Sequence, residues 1–192
     1  MKRDVAIPRR MRALQRDARG YPVPYVILRD TDNRPHFTIN DDRRRNRCLR
    51  ERRCQICGNR LDPLLWFVGG PRSAFDPHGW YNDTAMHHEC MKYAMQVCPY
   101  LAAPAYFGRI DTVTLDPAKL PKGCPAIFFD ATQIPERPPV FVAVASAAQE
   151  IATHPPYYVR PVRPYAAVEY WHCGALLTPE AAAAILLAAE QG

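Results

Sequence analysis

The N-terminal part of the chain alternates between basic segments and short apolar stretches. Residues 1–20 are basic and lack a clear apolar periodicity, so we expect an arm with about one helical turn near residues 9–16. Residues 25–28 (Tyr-Val-Ile-Leu) and 36–39 (His-Phe-Thr-Ile) flank the polar residues 30–34. Extended apolar pieces around such a turn predict a β-hairpin.

An arginine-rich helix is predicted after the hairpin. Asn40 or Asp41 can cap it, because a short side-chain oxygen accepts hydrogen bonds from the first N–H groups of a helix. The pattern continues to about Arg52 and offers only Cys48 and Leu49 as apolar side chains. Such a helix must rest on a neighbouring element.

Prolines break up the rest of the chain, which has 20 prolines against 9 glycines. Proline removes a backbone donor and interrupts helices, so we expect short elements joined by extended segments, such as residues 155–165. Thr178-Pro179-Glu180 has the order of a helix start and predicts a terminal helix. Strands are predicted at residues 64–68, where the strand leads into a Gly69-Gly70 turn, and at residues 126–129, 140–144 and 168–171, the last of which we expect to be the final strand.

Positive charge is concentrated in the first third. The chain has a net charge of +6, yet residues 1–60 hold 17 lysines and arginines against 7 acids and residues 61–192 hold 8 against 12. A clustered basic stretch is the electrostatic footprint of a nucleic-acid-binding protein. The alternative is a basic flank that only keeps the chain in solution.

Two pairs of metal-ligand residues stand out. Cys54-Gln-Ile-Cys57-Gly58 places two thiols on a tight knuckle, and Gly58 permits a left-handed turn after it. His87 and Cys90 lie three residues apart in a predicted helix, and so on one face of it. A structural zinc site needs four such ligands in a tetrahedron.

The choice of ligands leaves some alternatives. His88 is offset by two positions from Cys90, so we prefer His87, and we expect Thr84 or Asp83 to cap the helix. Cys98 is the replacement ligand that we would consider first. The four residues could instead be small packed side chains, since unpaired cysteines are commonly buried.

The order of knuckle, hairpin and ligand-bearing helix over residues 54–98 resembles a treble-clef zinc module. Some treble-clef modules are HNH-type nucleases, which resemble a zinc knuckle combined with a catalytic metal and a general-base histidine. Here the strand at residues 64–68 carries no histidine, and His78, Asn82 and His88 are too closely spaced. His172 and Cys173 could mimic a nucleophile pair, but adjacent strand residues point to opposite faces. We therefore predict no catalytic residues, and an HNH-like metal-dependent nuclease stays as the least favoured alternative.

Two binding hypotheses remain. In the first, nucleic acid is bound by the arginine-rich helix, because guanidinium groups contact phosphates and guanine edges in a bidentate manner. Tyr21, Tyr25 and Phe37 interleave with this charge and could stack on bases. In the second, a protein partner binds the acidic, tyrosine- and proline-rich C-terminal half. The arginines expected to bind nucleic acid are Arg43, Arg44, Arg45, Arg47, Arg50, Arg52 and Arg53.

The chain also resembles an uncharacterised group of small proteins from bacteria and their phages. The resemblance rests on residues 11–14 and 20–24, the knuckle at residues 53–58, the segments 87–90 and 98–101, and residues 168–171 ahead of a terminal helix. It implies a zinc-binding, phage-associated protein with no established activity. A host-modulating or anti-defence binder is consistent with that resemblance.

Together these observations predict an α+β protein built around one structural Zn²⁺ site. A basic arm, hairpin and arginine-rich helix form residues 1–53, a treble-clef-like zinc module residues 54–100, and a proline-rich, β-containing part with a terminal helix residues 101–192. Seven cysteines without a signal peptide or membrane span favour a reducing, cytoplasmic setting. Non-catalytic binding is the predicted function, with nucleic acid ahead of protein.

Overall fold

Helices and antiparallel strands alternate along the part of the chain that the computed structural model describes, residues 4–103, 117–121, 137–155 and 157–191. The strands are β1 (Ile27–Arg29), β2 (Pro35–Asn40), β3 (Leu65–Gly69), β4 (Phe141–Ser146), β5 (Gln149–Ile151), β6 (Val159–Pro161), β7 (Ala167–His172) and β8 (Ala175–Leu177). The α-helices are α1 (Asp42–Glu51), α2 (Pro71–Phe75), α3 (His88–Val97), α4 (Pro99–Ala102) and α5 (Pro179–Glu190). The α+β class is confirmed, whereas a treble-clef topology is not established.

A four-stranded antiparallel sheet, in the order β3-β4-β7-β8, forms the centre of the fold. All six residues of β4 are buried, which explains its apolar run Phe-Val-Ala-Val-Ala before Ser146, because both of its faces are covered. Leu65 of β3 pairs with Ser146 of β4, and Phe141 of β4 pairs with Trp171 of β7. The sheet therefore joins residues 65–69, from the segment with the metal ligands, to the C-terminal part.

Side chains alternate between the two faces of this sheet and build two clusters. One face carries Trp66, Ala143 and Trp171 and packs with residues of α3 such as Met91 and Met95. The opposite face carries Phe67, Val142 and Val144 and packs with Ala74, Tyr81 and Val159. The strands predicted at residues 140–144 and 168–171 are thus confirmed: β4 is buried throughout, whereas in β7 only Trp171 is fully buried.

The predicted hairpin and arginine-rich helix are both present. β1 and β2 pair in an antiparallel manner, and Asp41 caps α1 by accepting hydrogen bonds from the backbone N–H groups of Arg43 and Arg44. The helix ends at Arg52, which adopts a left-handed conformation with φ of 49°. Cys48 and Leu49 are buried, so the two apolar side chains do fix the helix to its neighbours.

The basic segment before the hairpin is not a detached arm. A 3-10 turn at Arg9–Met11 presents the side chain of Met11, which is 2% exposed, to the cluster that contains Cys54 and Cys90. Val5, Ile7 and Leu14 pack against the same cluster. Their irregular spacing suits a short turn and extended chain, which explains why no helical or strand period is visible in the sequence.

Three local predictions are wrong. Gly70 does not form a hairpin turn but precedes α2 as its N-terminal flank, so β3 pairs with the distant β4. Helix α3 begins at His88, with His87 as its N-terminal flank, while Thr84 is buried and its N–H donates to Gln55 Oε1. The strand at residues 168–171 is not the last one, because a short turn and β8 follow it.

Helix α5 starts as predicted, with the Thr178 hydroxyl accepting from the N–H of Ala181. The strand expected at residues 126–129 and Cys124 lie outside the described residues. None of the described helices is long and apolar enough to span a bilayer.

Candidate metal centre

Cys54, Cys57, His87 and Cys90 converge in the interior. One ligand atom from each lies within 4.8 Å of all the others, and all four residues are buried. The Nδ1 atom of His87 is 3.3 Å from Cys57 Sγ and 3.9 Å from Cys90 Sγ. In a tetrahedral site with Zn–S bonds of about 2.3 Å and Zn–N bonds of about 2.0 Å, ligand atoms lie roughly 3.5–3.8 Å apart. The group could therefore hold a metal ion such as zinc.

The knuckle that supplies Cys54 and Cys57 follows directly from the end of α1. Backbone hydrogen bonds close it: the N–H of Gly58 donates to the carbonyl of Cys54 at 2.8 Å, and the N–H of Cys54 donates to the carbonyl of Asn59 at 2.9 Å. Gly58 has a φ of +74°, as the sequence suggested for the residue after the second cysteine. The knuckle is thus shaped by its own backbone.

The second ligand pair is positioned by the sheet. Trp66 of β3 and Met86 exchange two backbone hydrogen bonds of 2.9 and 3.1 Å, which places His87 beside the end of the strand. The chain then turns into α3, whose first turn carries Cys90, and the N–H of Met91 donates to the carbonyl of His87. His87 and Cys90 are 1% and 0% exposed.

The imidazole of His87 is oriented for coordination through Nδ1. Its other nitrogen, Nε2, lies 2.9 Å from the carbonyl oxygen of Arg60, which can accept the Nε2 proton. A backbone carbonyl in this position is a common outer partner of a metal-bound histidine, because it fixes the tautomer and the ring angle. Arg10 Nη1 lies 2.9 Å from the same nitrogen and cannot donate to it in that tautomer. The guanidinium of Arg10 is held beside His87 by ion pairs with Asp62 and Glu89.

Three of the ligand groups, Cys57, His87 and Cys90, have shifted pKa values. Hydrogen bonds from Cys54 and Cys90 hold the pKa of the Cys57 thiol far below its ordinary value, and hydrogen bonding to Cys54 and Cys57 raises the pKa of Cys90 strongly. Burial opposes protonation of His87, but hydrogen bonds with the sulfurs of Cys54 and Cys57 outweigh it and raise its pKa to about 10. So dense a set of thiols favours a cation that replaces their protons.

The other described cysteines lie outside the ligand group. Cys48 is 2% exposed, and burial raises its pKa to about 12, as expected of an inert packed thiol. Cys98 follows α3, and burial also raises its pKa. The choice of ligands made from the sequence, with His87 rather than His88 and without Cys98, agrees with this geometry.

Arginines of α1 line an open groove of about 620 Å³ beside the knuckle. Arg43, Arg44 and Arg47 come from the predicted set, whereas no sequence pattern pointed to Arg29, which β1 brings to the same place. Arg50 and Arg52 are exposed outside the groove lining, and Arg53 is half-buried, bonded to Glu51 and to the carbonyl of Gly58. The remaining groove residues are Gln15, Tyr25, Asn33 and Asp41.

Arg45 is placed inside the protein, in contrast to its neighbours. It is 4% exposed, and its guanidinium donates to the carbonyl of Asn82 at 3.0 and 2.6 Å and to that of Tyr157 at 3.1 Å. Burial lowers its pKa. Arg45 therefore does not belong to the set expected to meet a ligand, since its side chain secures α1 to two loops.

A polar link between α3 and the central sheet has no counterpart among the sequence predictions. His88 stacks on Trp66 with ring centroids 4.1 Å apart, and its Nε2 lies 2.7 Å from Glu169 Oε1. The other oxygen of Glu169 accepts from the indole N–H of Trp171 at 3.0 Å. Because Glu169 is 81 residues further along the chain than His88, no local pattern could reveal the contact.

Comparisons with known proteins provide no relative for this chain. No family model matches it, and the searches of curated proteins and of solved structures found no similar protein. These comparisons therefore identify no family for the chain.

Proposed function

We propose that the protein is a non-catalytic nucleic-acid-binding protein whose arginine groove is held in shape by one structural zinc ion. The observation that carries the proposal is the groove itself, in which four of the eight lining residues are arginines and only one is acidic. That acid, Asp41, is 5% exposed and caps α1. With four positive charges against one negative charge the lining is net positive, although Asp41 forms ion pairs with Arg43 and Arg44.

Zinc is the metal that fits the ligand set best. Three thiols and one imidazole form a soft to borderline set, and four protein ligands complete a tetrahedron without an open position. All four ligands are buried, so a substrate has no route to the ion through them. These properties support a structural ion, because four protein ligands leave no coordination position for a catalytic water.

The arginines of the groove are crowded, which favours an anionic ligand. Burial lowers the pKa of Arg29, and the neighbouring positive charge of Arg44 lowers it further, with Asp41 opposing. Arg43 and Arg47 keep about half of their side-chain surface exposed, 48% and 50%. A phosphate placed between such groups would relieve their mutual repulsion and gain charge-assisted hydrogen bonds.

Tyr25 gives the groove an aromatic wall next to its charge. The guanidinium carbon of Arg44 lies 5.4 Å from the centre of the Tyr25 ring, and Arg44 Nη1 donates to the carbonyl of Tyr25 at 2.9 Å. Aromatic and basic side chains along one channel are typical of single-strand binding, in which bases stack and phosphates pair with cations. We therefore favour single-stranded over double-stranded nucleic acid.

The proposal can be tested by the salt dependence of binding. Fluorescence anisotropy with labelled single-stranded DNA and RNA of mixed sequence should show an affinity that falls steeply between roughly 50 and 200 mM salt, because bound phosphates release their counterions. The variant Arg43→Gln/Arg47→Gln should reduce the slope of log K against log salt by about 1.4, which is about 0.7 for each phosphate of a single strand that is no longer neutralised.

A matched control removes the same charge elsewhere. Arg72 and Lys92 are exposed and lie outside the groove lining, so Arg72→Gln/Lys92→Gln lowers the net charge equally. This control should retain the slope of the unmodified protein. Equal effects of the two variants, or no binding to either nucleic acid at about 50 mM salt, would contradict the proposal.

A protein partner is the second candidate, and the surface of α5 favours it. Of this twelve-residue helix only Ala182 is buried, while Leu187 is 59% exposed and Leu176, just before the helix in β8, is 56% exposed. Exposed apolar side chains on adjacent elements are typical of a protein interface. The variant Leu176→Ser/Leu187→Ser should then lose a co-purifying protein and keep its affinity for nucleic acid.

A further inference from the structure

The turn between β7 and β8 has an unusual residue in it. Cys173 and Gly174 form the two-residue connection, with φ values of 49° and 78°. Positive φ at both positions is the geometry of a type I′ hairpin turn, in which asparagine, aspartate or glycine is usual at the first position. A cysteine there must adopt a left-handed conformation that costs about 1–2 kcal/mol. An uncommon residue held in an uncommon conformation can indicate a functional position.

The turn brings the Cys173 thiol onto the imidazole of the preceding residue. Cys173 Sγ lies 3.1 Å from His172 Nε2. Side chains of adjacent strand residues point to opposite faces, which is why the sequence argued against this pair. The left-handed backbone at Cys173 ends the strand alternation and turns the thiol back towards the ring.

A third group fixes the histidine. His172 Nδ1 lies 2.7 Å from the carbonyl oxygen of Pro139, which can only accept, so the ring proton resides on Nδ1. Nε2 then presents its lone pair to the thiol. Nucleophile, base and a group that orients the base are the three parts of an activated cysteine.

We propose that Cys173 is a reactive thiol, activated by His172, that exchanges with low-molecular-weight disulfides. His172 Nε2 takes the proton from Cys173 Sγ, and the thiolate attacks one sulfur of the disulfide. A new S–S bond forms to Cys173 while the S–S bond of the reagent breaks, and the departing thiolate takes the proton from His172. The Cys173 sulfur is oxidised to a mixed disulfide and half of the reagent is reduced to a thiol.

The surroundings distinguish Cys173 from the other described cysteines. Cys173 and His172 are half-buried in a surface hairpin, so a small reagent can approach them. Cys48 is buried and its pKa is raised to about 12, and burial raises the pKa of Cys98. Cys54, Cys57 and Cys90 belong to the metal-ligand group and would be protected by a bound ion. Selectivity within one chain therefore tests the proposal directly.

The experiment uses zinc-loaded full-length protein and glutathione disulfide. Peptide mass spectrometry over a time course should show the mixed disulfide at Cys173 before it forms at any other described cysteine, at least about tenfold faster than at Cys98, because base-assisted proton removal commonly gives factors of that size or more. His172→Gln retains a donor and an acceptor without the base and should slow the reaction at Cys173 at least about tenfold. Cys173→Ser should abolish it.

Two control measurements accompany the time course. Zinc release is followed with a chromophoric chelator, so that oxidation of the ligand cysteines is recognised. The fluorescence of the buried Trp171, next to His172, reports whether His172→Gln has disturbed the strand. Equal rates at Cys173 and Cys98, or an unchanged rate in a correctly folded His172→Gln variant, would overturn the proposal.

Discussion

Gly58 and Tyr25 are in such close contact that a Cβ added to Gly58 would lie 2.9 Å from Cδ2 of the tyrosine ring. Gly58 closes the knuckle that bears Cys54 and Cys57, and Tyr25 lines the arginine groove. The backbone N–H of Tyr25 also donates to the carbonyl of Ile56, inside the knuckle, at 2.8 Å. The metal-ligand loop and one wall of the groove are therefore a single packed unit.

Gly58→Ala should destabilise the protein and displace the Tyr25 side chain that lines the groove. An alanine at φ of +74° costs about 1–2 kcal/mol, and displacement of the Tyr25 ring adds about 1 kcal/mol or more. Urea denaturation of the zinc-loaded protein measures the loss in unfolding free energy. Gly70→Ala is the matched control, because its φ of −83° suits alanine and the added Cβ meets Pro138 at an ordinary 3.4 Å. Similar losses for the two variants would argue against the tight fit at Gly58 as the cause.

Zinc removal should unfold the centre of the protein. Structural zinc contributes about 10–16 kcal/mol of apparent folding free energy in small zinc domains, and the ligands here are buried beside Met11 and Trp66. We expect one zinc per chain by elemental analysis and a loss of cooperative thermal unfolding after treatment with a strong chelator. Cys90→Ser should lose the bound zinc.

Cys48→Ala serves as the control for that experiment. It removes a buried thiol that is outside the ligand group, so stability should fall by about 1–2 kcal/mol while one zinc per chain is retained. Acid should release zinc from the unmodified protein, because protons compete with the metal for the cysteine and histidine ligands. The lowered pKa of Cys57 also means that its thiolate stabilises the folded state, and this contribution is lost when acid protonates it. Stability should accordingly decrease as the pH falls. Undiminished zinc content in Cys90→Ser would refute the assigned ligand set.

Arg45→Met should affect stability more than binding. The substitution removes the hydrogen bonds from the buried guanidinium to the carbonyl groups of Asn82 and Tyr157, and hydrogen bonds of a charged group contribute about 1.5–3 kcal/mol each. Arg47→Gln, at an exposed position of the same helix, should change the unfolding free energy by less than about 1 kcal/mol and should weaken nucleic-acid binding. Denaturant titrations measure the stability of both variants, and fluorescence anisotropy measures their binding to nucleic acid. Weaker binding with unchanged stability in Arg45→Met would contradict the structural role of Arg45.

Glu169→Ala should loosen α3 from the sheet without releasing the metal. The carboxylate bonds His88 through one oxygen and the indole of Trp171 through the other, so its removal should cost about 1–3 kcal/mol. A shift in tryptophan emission should accompany the loss, since Trp66 and Trp171 both adjoin the pair. Glu150→Ala removes an exposed partner of Arg160 and should cost less than about 1 kcal/mol. Zinc content should be equal in both variants.

Local chemistry made part of this molecule predictable. The knuckle, the Asp41 cap and the Thr178 cap depend on residues within a few positions of one another, and the sequence identified them. The ligand group was predictable for the same reason, since the two residues of each pair are close in the sequence. Only the contact between the two pairs is long-range. Long-range contacts were not predictable: β3 was assigned a neighbouring partner, whereas its actual partner β4 lies far downstream, with Leu65 paired to Ser146.

The basic N-terminal segment shows how composition alone can mislead. Its arginines suggested a solvated arm, but Arg10 forms ion pairs with Asp62 and Glu89 while Met11 enters the core. Likewise, an arginine in a predicted helix indicates a positive charge, but it does not indicate whether the side chain points to solvent or to the interior, as the burial of Arg45 demonstrates. The partners that decide both cases lie far along the chain: the carboxylates of Asp62 and Glu89 for Arg10, and the carbonyl groups of Asn82 and Tyr157 for Arg45.

The pairing of β3 with β4 has a consequence for how the chain acquires its structure. The loop between the two ligand pairs can close early, because only 30 residues separate Cys57 from His87. Strand β3 must then wait until the distant residues 141–146 have arrived, and contacts of such separation form slowly. During synthesis the metal-binding segment would therefore expose the unpaired backbone edge of β3 together with its apolar residues Trp66 and Phe67. The C-terminal strands would cover this edge only after they have emerged from the ribosome.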